Sequence, residues 1–172
     1  NLEWSEVTEI FNKVKSWVHP QSPLIVGTGS NSTKTTIEYS QKAQALGADA
    51  VLVVVPYYNK PPQRGLIAHF QSVADAVTIP VILYNVPSRT ITSLSLDSII
   101  TLSQHKNIIG IKEASGSIEL AQSIVKKCKG DFILLSGDDG TYPEFLEAGG
   151  QGVISVASHV IPQAFVDLLN DK

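Results

Sequence analysis

One pattern runs through this chain from end to end: a short β-branched apolar run, a polar turn, an amphipathic stretch, then another apolar run. The apolar runs fall at residues 24–28, 50–55, 81–84, 108–112, 132–135 and 153–156. They recur about every 20–30 residues, the length of one strand–helix unit. Within each run the residues are continuously apolar rather than alternating, which predicts parallel strands covered on both faces. The segments between them place apolar residues at helical spacing, as Leu66, Ile67, Phe70, Val73, Ala74 and Val77 do. Further helices are expected at 6–17, at 120–127 and from near Tyr142 to a stop at Gly149 and Gly150. The 120–127 helix ends in lysines, which suit the negative end of its dipole. No linker or low-complexity stretch divides the 172 residues, so one domain is expected.

A parallel sheet of this kind is either doubly wound and open or closed into a (β/α)8 barrel. The polar residues decide for the barrel, because they collect at the C-terminal end of every run. They are Gly27-Thr28-Gly29-Ser30-Asn31, Tyr57-Tyr58-Asn59, Tyr84-Asn85, Lys112-Glu113, Ser136-Gly137-Asp138-Asp139 and the stretch from Ser155 to His159. All six strands contributing is the pattern of a barrel mouth, whereas an open sheet gathers such residues near one switch point. The dinucleotide-like Gly27-Thr28-Gly29 lacks its third glycine, whose place Ser32 holds. A complete barrel has eight strands over roughly 250 residues. The expected fold is therefore a TIM barrel present as a fragment over 1–172, with about six of eight strands. The missing strands are assigned to the N-terminal side, where the chain opens with a helix and without Met.

Charge and composition remove several classes. The net charge of −3 comes with no basic stripe, so no nucleic-acid partner is expected. No apolar stretch approaches the ~20 residues of a membrane span. Cys128 is the single cysteine, which excludes a disulfide within the chain and suits a reducing, cytoplasmic compartment. In its lysine-rich setting it reads as a packed helix-end residue.

Several residues at the mouth could carry chemistry. Lys112 ends the fourth run, and period two puts Ile108 and Gly110 on its face, with Gly110 leaving room beside the amine. A lysine at an apolar mouth is partly desolvated, which favours the neutral, nucleophilic amine. The competing reading is a solvated strand-end lysine paired with Glu113. Tyr84 ends the preceding run and reaches the same depth if the strands are in register, where a phenol could relay protons. It could equally be filling the mouth. Arg89, in the turn Val86-Pro87-Ser88-Arg89-Thr90, offers a fork for a carboxylate. Of the tandem Tyr57 and Tyr58, one is expected to face the mouth and the other to face outward. Asp138 and Asp139 have no third ligand at metal spacing, so a turn and helix-cap role is favoured and no metal is assigned. His69 reads as part of a helix face, and His159 has no evident partner.

Five segments then carry a resemblance. They are Pro56-Tyr57-Tyr58-Asn59-Lys60-Pro61, Tyr84-Asn85-Val86-Pro87-Ser88-Arg89-Thr90, Gly110-Ile111-Lys112-Glu113-Ala114-Ser115-Gly116, Ser136-Gly137-Asp138-Asp139 and Gly152-Val153-Ile154-Ser155-Val156. In order and spacing they resemble the dihydrodipicolinate synthase branch of the class I pyruvate aldolases, over nearly the whole chain. The resemblance implies condensation of pyruvate with aspartate 4-semialdehyde, in lysine biosynthesis, through an imine on Lys112. It makes Tyr84 the proton relay, Tyr58 the residue inserted into a neighbouring subunit's site, and Arg89 the holder of the aldehyde's carboxylate. It places Gly137 and the carbonyl of Ile154 at the pyruvate pocket. It implies no metal or organic cofactor, and a homotetramer built as a dimer of dimers.

Departures from that pattern set further expectations. The family's Gly-Thr-Thr-Gly-Glu turn would precede this chain, and its C-terminal helices would follow it, so the chain alone is expected to be inactive. Ile91 stands where the family usually has Gly after the Arg-Thr pair. Thr35 stands where lysine-inhibited members carry an acid, beside the Asn31 and Tyr57 positions, so weak or no lysine inhibition is expected. The alternatives are an N-acetylneuraminate lyase or related sugar-acid aldolase, disfavoured by Ser88-Arg89-Thr90, a non-catalytic barrel fragment, and a phosphate-binding barrel using 137–140 and 155–158.

Overall fold

All six apolar runs become strands of a single parallel sheet, ordered β1-β2-β3-β4-β5-β6 so that each strand lies beside its neighbour in sequence. The computed structural model describes residues 2–171. Helix α1 (Trp4–Trp17) leads into β1 (Ile25–Gly27), then α2 (Thr33–Leu46), β2 (Ala50–Val54), α3 (Gln63–Asp75) and β3 (Val81–Asn85). The one-turn α4 (Pro87–Thr90) and α5 (Leu96–Ser103) precede β4 (Ile108–Glu113). The chain continues through α6 (Ile118–Lys127), β5 (Ile133–Ser136), α7 (Tyr142–Glu147), β6 (Gly152–Val153), a 3-10 turn (Ala157–His159) and α8 (Pro162–Asn170). No helix among the described residues is long and apolar enough to cross a membrane.

Alternation along the strands separates two faces. Val51, Val53, Val81, Leu83, Ile108, Ile111 and Leu134 are buried on one of them, in a core shared with Leu66, Phe70, Val73, Ile99, Leu102 and Ile124 from the helices. Each such side chain contributes about 1.5–3 kcal/mol on leaving water. The other face carries Leu52, Val54, Tyr84, Lys112, Ile133 and Leu135, all half-buried. Among the described residues β1 pairs only with β2, and β6 only with β5. The sheet is thus an open portion of a (β/α)8 barrel, and its inner face is less covered than the apolar runs predict.

Helix ends follow local chemistry. Ser32, Ser95 and Ser117 cap α2, α5 and α6 by accepting the backbone N–H three residues on. Gly47 ends α2 with φ of 85°, which suits a residue without Cβ. The first helix starts two residues earlier than the sequence suggests, where Glu3 and Glu6 form a capping box. The sixth strand is the largest difference: it covers Gly152–Val153 rather than 153–156, because the chain turns away toward the 3-10 segment.

His69 lies on the buried face of α3, as its helical spacing predicts. It is 6 % exposed, its Nδ1 lies 2.8 Å from Thr33 Oγ1 across the α2–α3 contact, and its Nε2 is buried without a partner. Burial lowers its pKa from 6.5 to about 4. Between those values the unfolded chain binds a proton that the folded one does not, so this contribution is complete above 6.5 and lost as pH falls toward 4. Lowering pH from 7 to 5 should cost about 2 kcal/mol through this residue alone. Urea midpoints of the parent and of His69→Gln over that range test it; identical slopes would refute it.

Candidate functional site

Register brings the two principal candidates together. Tyr84 and Lys112 are cross-strand partners on β3 and β4, and both point to the inner face. The Lys112 amine sits over the Tyr84 ring, 4.1 Å from its centroid. An ammonium is favoured there by the ring quadrupole, and a neutral amine by the loss of water. Burial is the larger influence and lowers the Lys112 pKa from its usual value, with the Asp139 carboxylate pulling the other way. Burial also raises the Tyr84 phenol, an effect that the Arg89 charge partly offsets. The two groups are therefore shifted in the directions that keep an amine nucleophilic and a phenol protonated.

The strand pairing corrects two readings of the sequence. Val81 pairs with Ile108 but Ile82 pairs with Gly110, so an extra residue is accommodated in β4. Ile108 consequently lies on the helix-covered face with Val81, not on the face of Lys112. Glu113 also points away from Lys112. It accepts from Asn85 Nδ2 at 2.8 Å and from the Ser115 amide at 2.6 Å, so it is not the lysine's ion-pair partner.

Room beside the lysine comes from a different glycine than the one expected. A Cβ on Gly110 would lie 2.5 Å from the Ile133 carbonyl oxygen, so Gly110 serves the close approach of β5. A Cβ on Gly137 would lie 2.8 Å from Lys112 Cε and 2.7 Å from Ala114 Cβ. Gly137 thus borders the lysine shaft directly. Ile154 leaves the top of β6 with its amide bonded to the Ser136 carbonyl at 2.9 Å. Asp139 ties these loops together, accepting from the amides of Val156 at 3.1 Å and Ala157 at 2.9 Å. Partial burial would raise its carboxyl, but those amides, the Ser155 hydroxyl and the Lys112 charge hold it below its usual value. With both amides engaged, two of the donors that a phosphate cradle would need are already taken. Asp138 has the expected turn role, bonding Thr141 through both its amide and hydroxyl ahead of α7.

Arg89 stands on α4, a single turn started by Pro87. It shares with Tyr84, Tyr57, Leu52 and Val54 a pocket of about 390 Å³ on the inner face. Tyr57 is the tandem tyrosine that faces this pocket. Tyr58 points outward, 86 % exposed, on a backbone with φ of 72°. The site residues named from sequence therefore separate. Lys112 meets both Tyr84 and Gly137, Arg89 shares the Tyr84 pocket, Ile154 is tied by its amide to Ser136 beside Gly137, and Tyr58 stands apart from them all.

Ile91 ends α4 with φ of 64° and ψ of −36°, and its side chain is 69 % exposed. A β-branched residue in this region is strained, and its exposed side chain gains little packing in return. Ile91→Gly should raise stability by about 1 kcal/mol. Thermal midpoints compare the two; a lower midpoint in the glycine variant would show that no strain is stored.

The remaining sequence candidates lie elsewhere. His159 is exposed with Nδ1 3.0 Å from the Val156 carbonyl. Cys128 is half-buried at the end of α6, where burial raises its thiol pKa and a Ser103 hydrogen bond offsets part of that rise.

A part-buried amine on an inner barrel strand, beside a phenol and a bordering glycine, defines a (β/α)-barrel protein of the lysine-at-the-mouth kind. The chain belongs to the dihydrodipicolinate synthetase family, whose model matches residues 1–171. It is 60 % identical over 165 residues to the 4-hydroxy-tetrahydrodipicolinate synthase of Bdellovibrio bacteriovorus, covering 96 % of this chain and 56 % of that protein. The dihydrodipicolinate synthase of Cyanidioschyzon merolae, solved with lysine bound, superposes with a TM-score of 0.95 at 44 % identity, over 99 % of this chain and 58 % of that one. The chloride-inhibited enzyme of Acinetobacter baumannii, solved with pyruvate, gives 0.94 at 41 % identity over 97 % and 57 %. The chain spans little more than half the length of these relatives. Their agreement with all six strands fixes the fold as part of a TIM barrel.

Proposed function

We propose that this chain carries the imine-forming centre of a lyase that condenses pyruvate with aspartate 4-semialdehyde to 4-hydroxy-tetrahydrodipicolinate, in the cytoplasm. The observation that carries this reading is the Lys112 amine, desolvated and held 4.1 Å from the Tyr84 ring centroid on the inner face. The neutral amine attacks the keto carbon of pyruvate. The resulting carbinolamine loses water, with Tyr84 moving the protons between nitrogen and oxygen. The protonated imine withdraws electrons from the adjacent methyl group, which loses a proton to give an enamine. The enamine carbon then attacks the aldehyde. The second substrate's amine closes the ring at the imine carbon and releases Lys112.

Arg89 is assigned the carboxylate of the aldehyde, because its guanidinium shares the Tyr84 pocket. Gly137 and Ile154 are assigned the pyruvate end, on the evidence of Gly137 bordering the lysine shaft. Exposed Tyr58 is assigned to a neighbouring subunit in a tetramer built from dimers. Asn59 Nδ2 donates to the Asn31 carbonyl at 2.9 Å, which joins the two loops that the resemblance implies for a lysine effector. Thr35 supplies no charge for that effector's ammonium group, which supports weak lysine inhibition.

Borohydride reduction in the presence of pyruvate tests the reading. In a protein that carries the family's Gly-Thr-Thr-Gly-Glu turn together with these residues, peptide mass spectrometry should find a reduced pyruvyl adduct on Lys112. An adduct on another lysine, or none, would refute it.

A further inference from the structure

The row of residues just above Tyr84 and Lys112 holds a buried polar pair that the chemistry above does not use. Asn85 and Glu113 are cross-strand partners, one step further along β3 and β4. Alternation turns them to the helix-covered face, directly behind the site. Asn85 is fully buried and Glu113 is 2 % exposed. The Asn85 amide donates to Glu113 Oε2 at 2.8 Å and to Ser93 Oγ at 3.2 Å. Asn85 Oδ1 accepts from the Leu94 amide at 3.0 Å, and Glu113 Oε1 accepts from the Ser115 amide at 2.6 Å.

Stability alone is a poor reason to keep this carboxylate. The group is out of water and no cation lies within 4.0 Å of it among the described residues. Replacing both members of such a hydrogen-bonded pair by apolar groups of the same shape can be nearly neutral for stability. What the pair supplies is direction. Through their own main-chain groups, the two residues bond the Ala114 amide to the Asn85 carbonyl and the Gly137 amide to the Glu113 carbonyl, both at 2.8 Å. Through their side chains they fix Leu94, which follows the Arg89 turn, and Ser115, which follows β4. One buried pair therefore links the backbone of Tyr84, Lys112, the Arg89 segment and Gly137.

We propose that Asn85 and Glu113 form a positioning pair that holds the Lys112 amine and the Tyr84 phenol in reacting geometry. This rests on the assignment of Lys112 as the imine-forming lysine. Glu113→Gln replaces an acceptor by a donor, so whichever way the new amide turns, it faces a donor with a donor. The reversed pair, Asn85→Asp with Glu113→Gln, restores every bond: the one between the two residues and the one to Ser93 Oγ reverse their polarity, while the Leu94 and Ser115 amides still donate as before. Glu113→Met fills the same space with no hydrogen bonds, and so keeps packing while removing direction.

The experiment measures the rate of pyruvate-dependent, borohydride-trapped adduct formation on Lys112, per folded site and at saturating pyruvate, in a protein that carries the family's Gly-Thr-Thr-Gly-Glu turn together with these residues. Glu113→Gln and Glu113→Met should each slow it by about 10- to 100-fold, with half-saturating pyruvate changed less than about 3-fold. Glu113→Met leaves the Asn85 amide and the Ser115 N–H without their acceptor, so its rate is read per folded site below its own thermal midpoint, which separates the loss from one of folding. The reversed pair should recover to within about 5-fold of the parent. A parent-like rate in either folded single variant, or a reversed pair that folds but stays as slow as Glu113→Gln, would overturn the pair. A parent that forms no adduct would instead overturn the Lys112 assignment, and the pair with it.

Discussion

Lys112→Arg is expected to abolish pyruvate capture while leaving the fold intact. Arginine keeps the positive charge that sits over the Tyr84 ring and faces the Asp139 carboxylate, so the local electrostatics survive. It cannot lose a proton in the accessible range and so never presents a neutral nucleophile. The loss of adduct formation should be at least about 1,000-fold. In the parent protein, adduct formation should rise with pH as the Lys112 amine deprotonates. Because burial lowers that pKa, the rise should level off below the pH at which an ordinary lysine titrates, near 10.5. Trapping at saturating pyruvate over a pH series checks both points. Equal adduct in Lys112→Arg would mean that another amine is responsible. A titration at or above the ordinary lysine range would mean that the amine is not desolvated.

Much of this centre could be read from residue order. Uniform strand–helix repeats keep successive strands in near register, so the last residues of the third and fourth runs had to meet, and Tyr84 and Lys112 do. The tandem tyrosines follow the same alternation, with Tyr57 turned to the pocket and Tyr58 outward. What escaped the sequence depended on single-residue shifts. The extra residue in β4 moves Ile108 to the opposite face, and no local propensity announces it. Glu113 looked like a partner for Lys112 because the two are adjacent, yet adjacency in a strand is what separates them. Its true partner, Asn85, is 28 residues away and could be found only once the two strands were aligned. The sixth strand was cut short by Asp139, which draws the amides of Val156 and Ala157 toward itself from 17 and 18 residues away. The place of His69 on a helix face is legible from spacing, but its hydrogen bond to Thr33 depends on how α2 and α3 pack.

The glycines make the same point and lead to the second large effect, expected for Gly137→Ala. The added Cβ would lie 2.8 Å from Lys112 Cε, 3.1 Å from its Cγ and 2.7 Å from Ala114 Cβ. Of these, the lysine shaft is the flexible neighbour and the one that moves. Overpacking of this size costs about 1–3 kcal/mol when the surroundings must strain. A half-buried rim with a mobile side chain should sit at the low end of that range. The amine itself is less forgiving: a displacement of about 1 Å from reacting geometry can lower a rate by about 100-fold. Gly137→Ala is therefore expected to slow adduct formation by about 100-fold with a thermal midpoint only a few degrees lower. Gly110→Ala provides the contrast, because its Cβ would strike the Ile133 carbonyl oxygen at 2.5 Å and Ile133 Cβ at 2.8 Å. Those neighbours belong to a paired strand and cannot move independently, so that variant should lose stability first. If Gly137→Ala captured pyruvate at the parent rate, the lysine would have room to pass an added methyl group. Gly137 would then hold its place for the β5 turn alone.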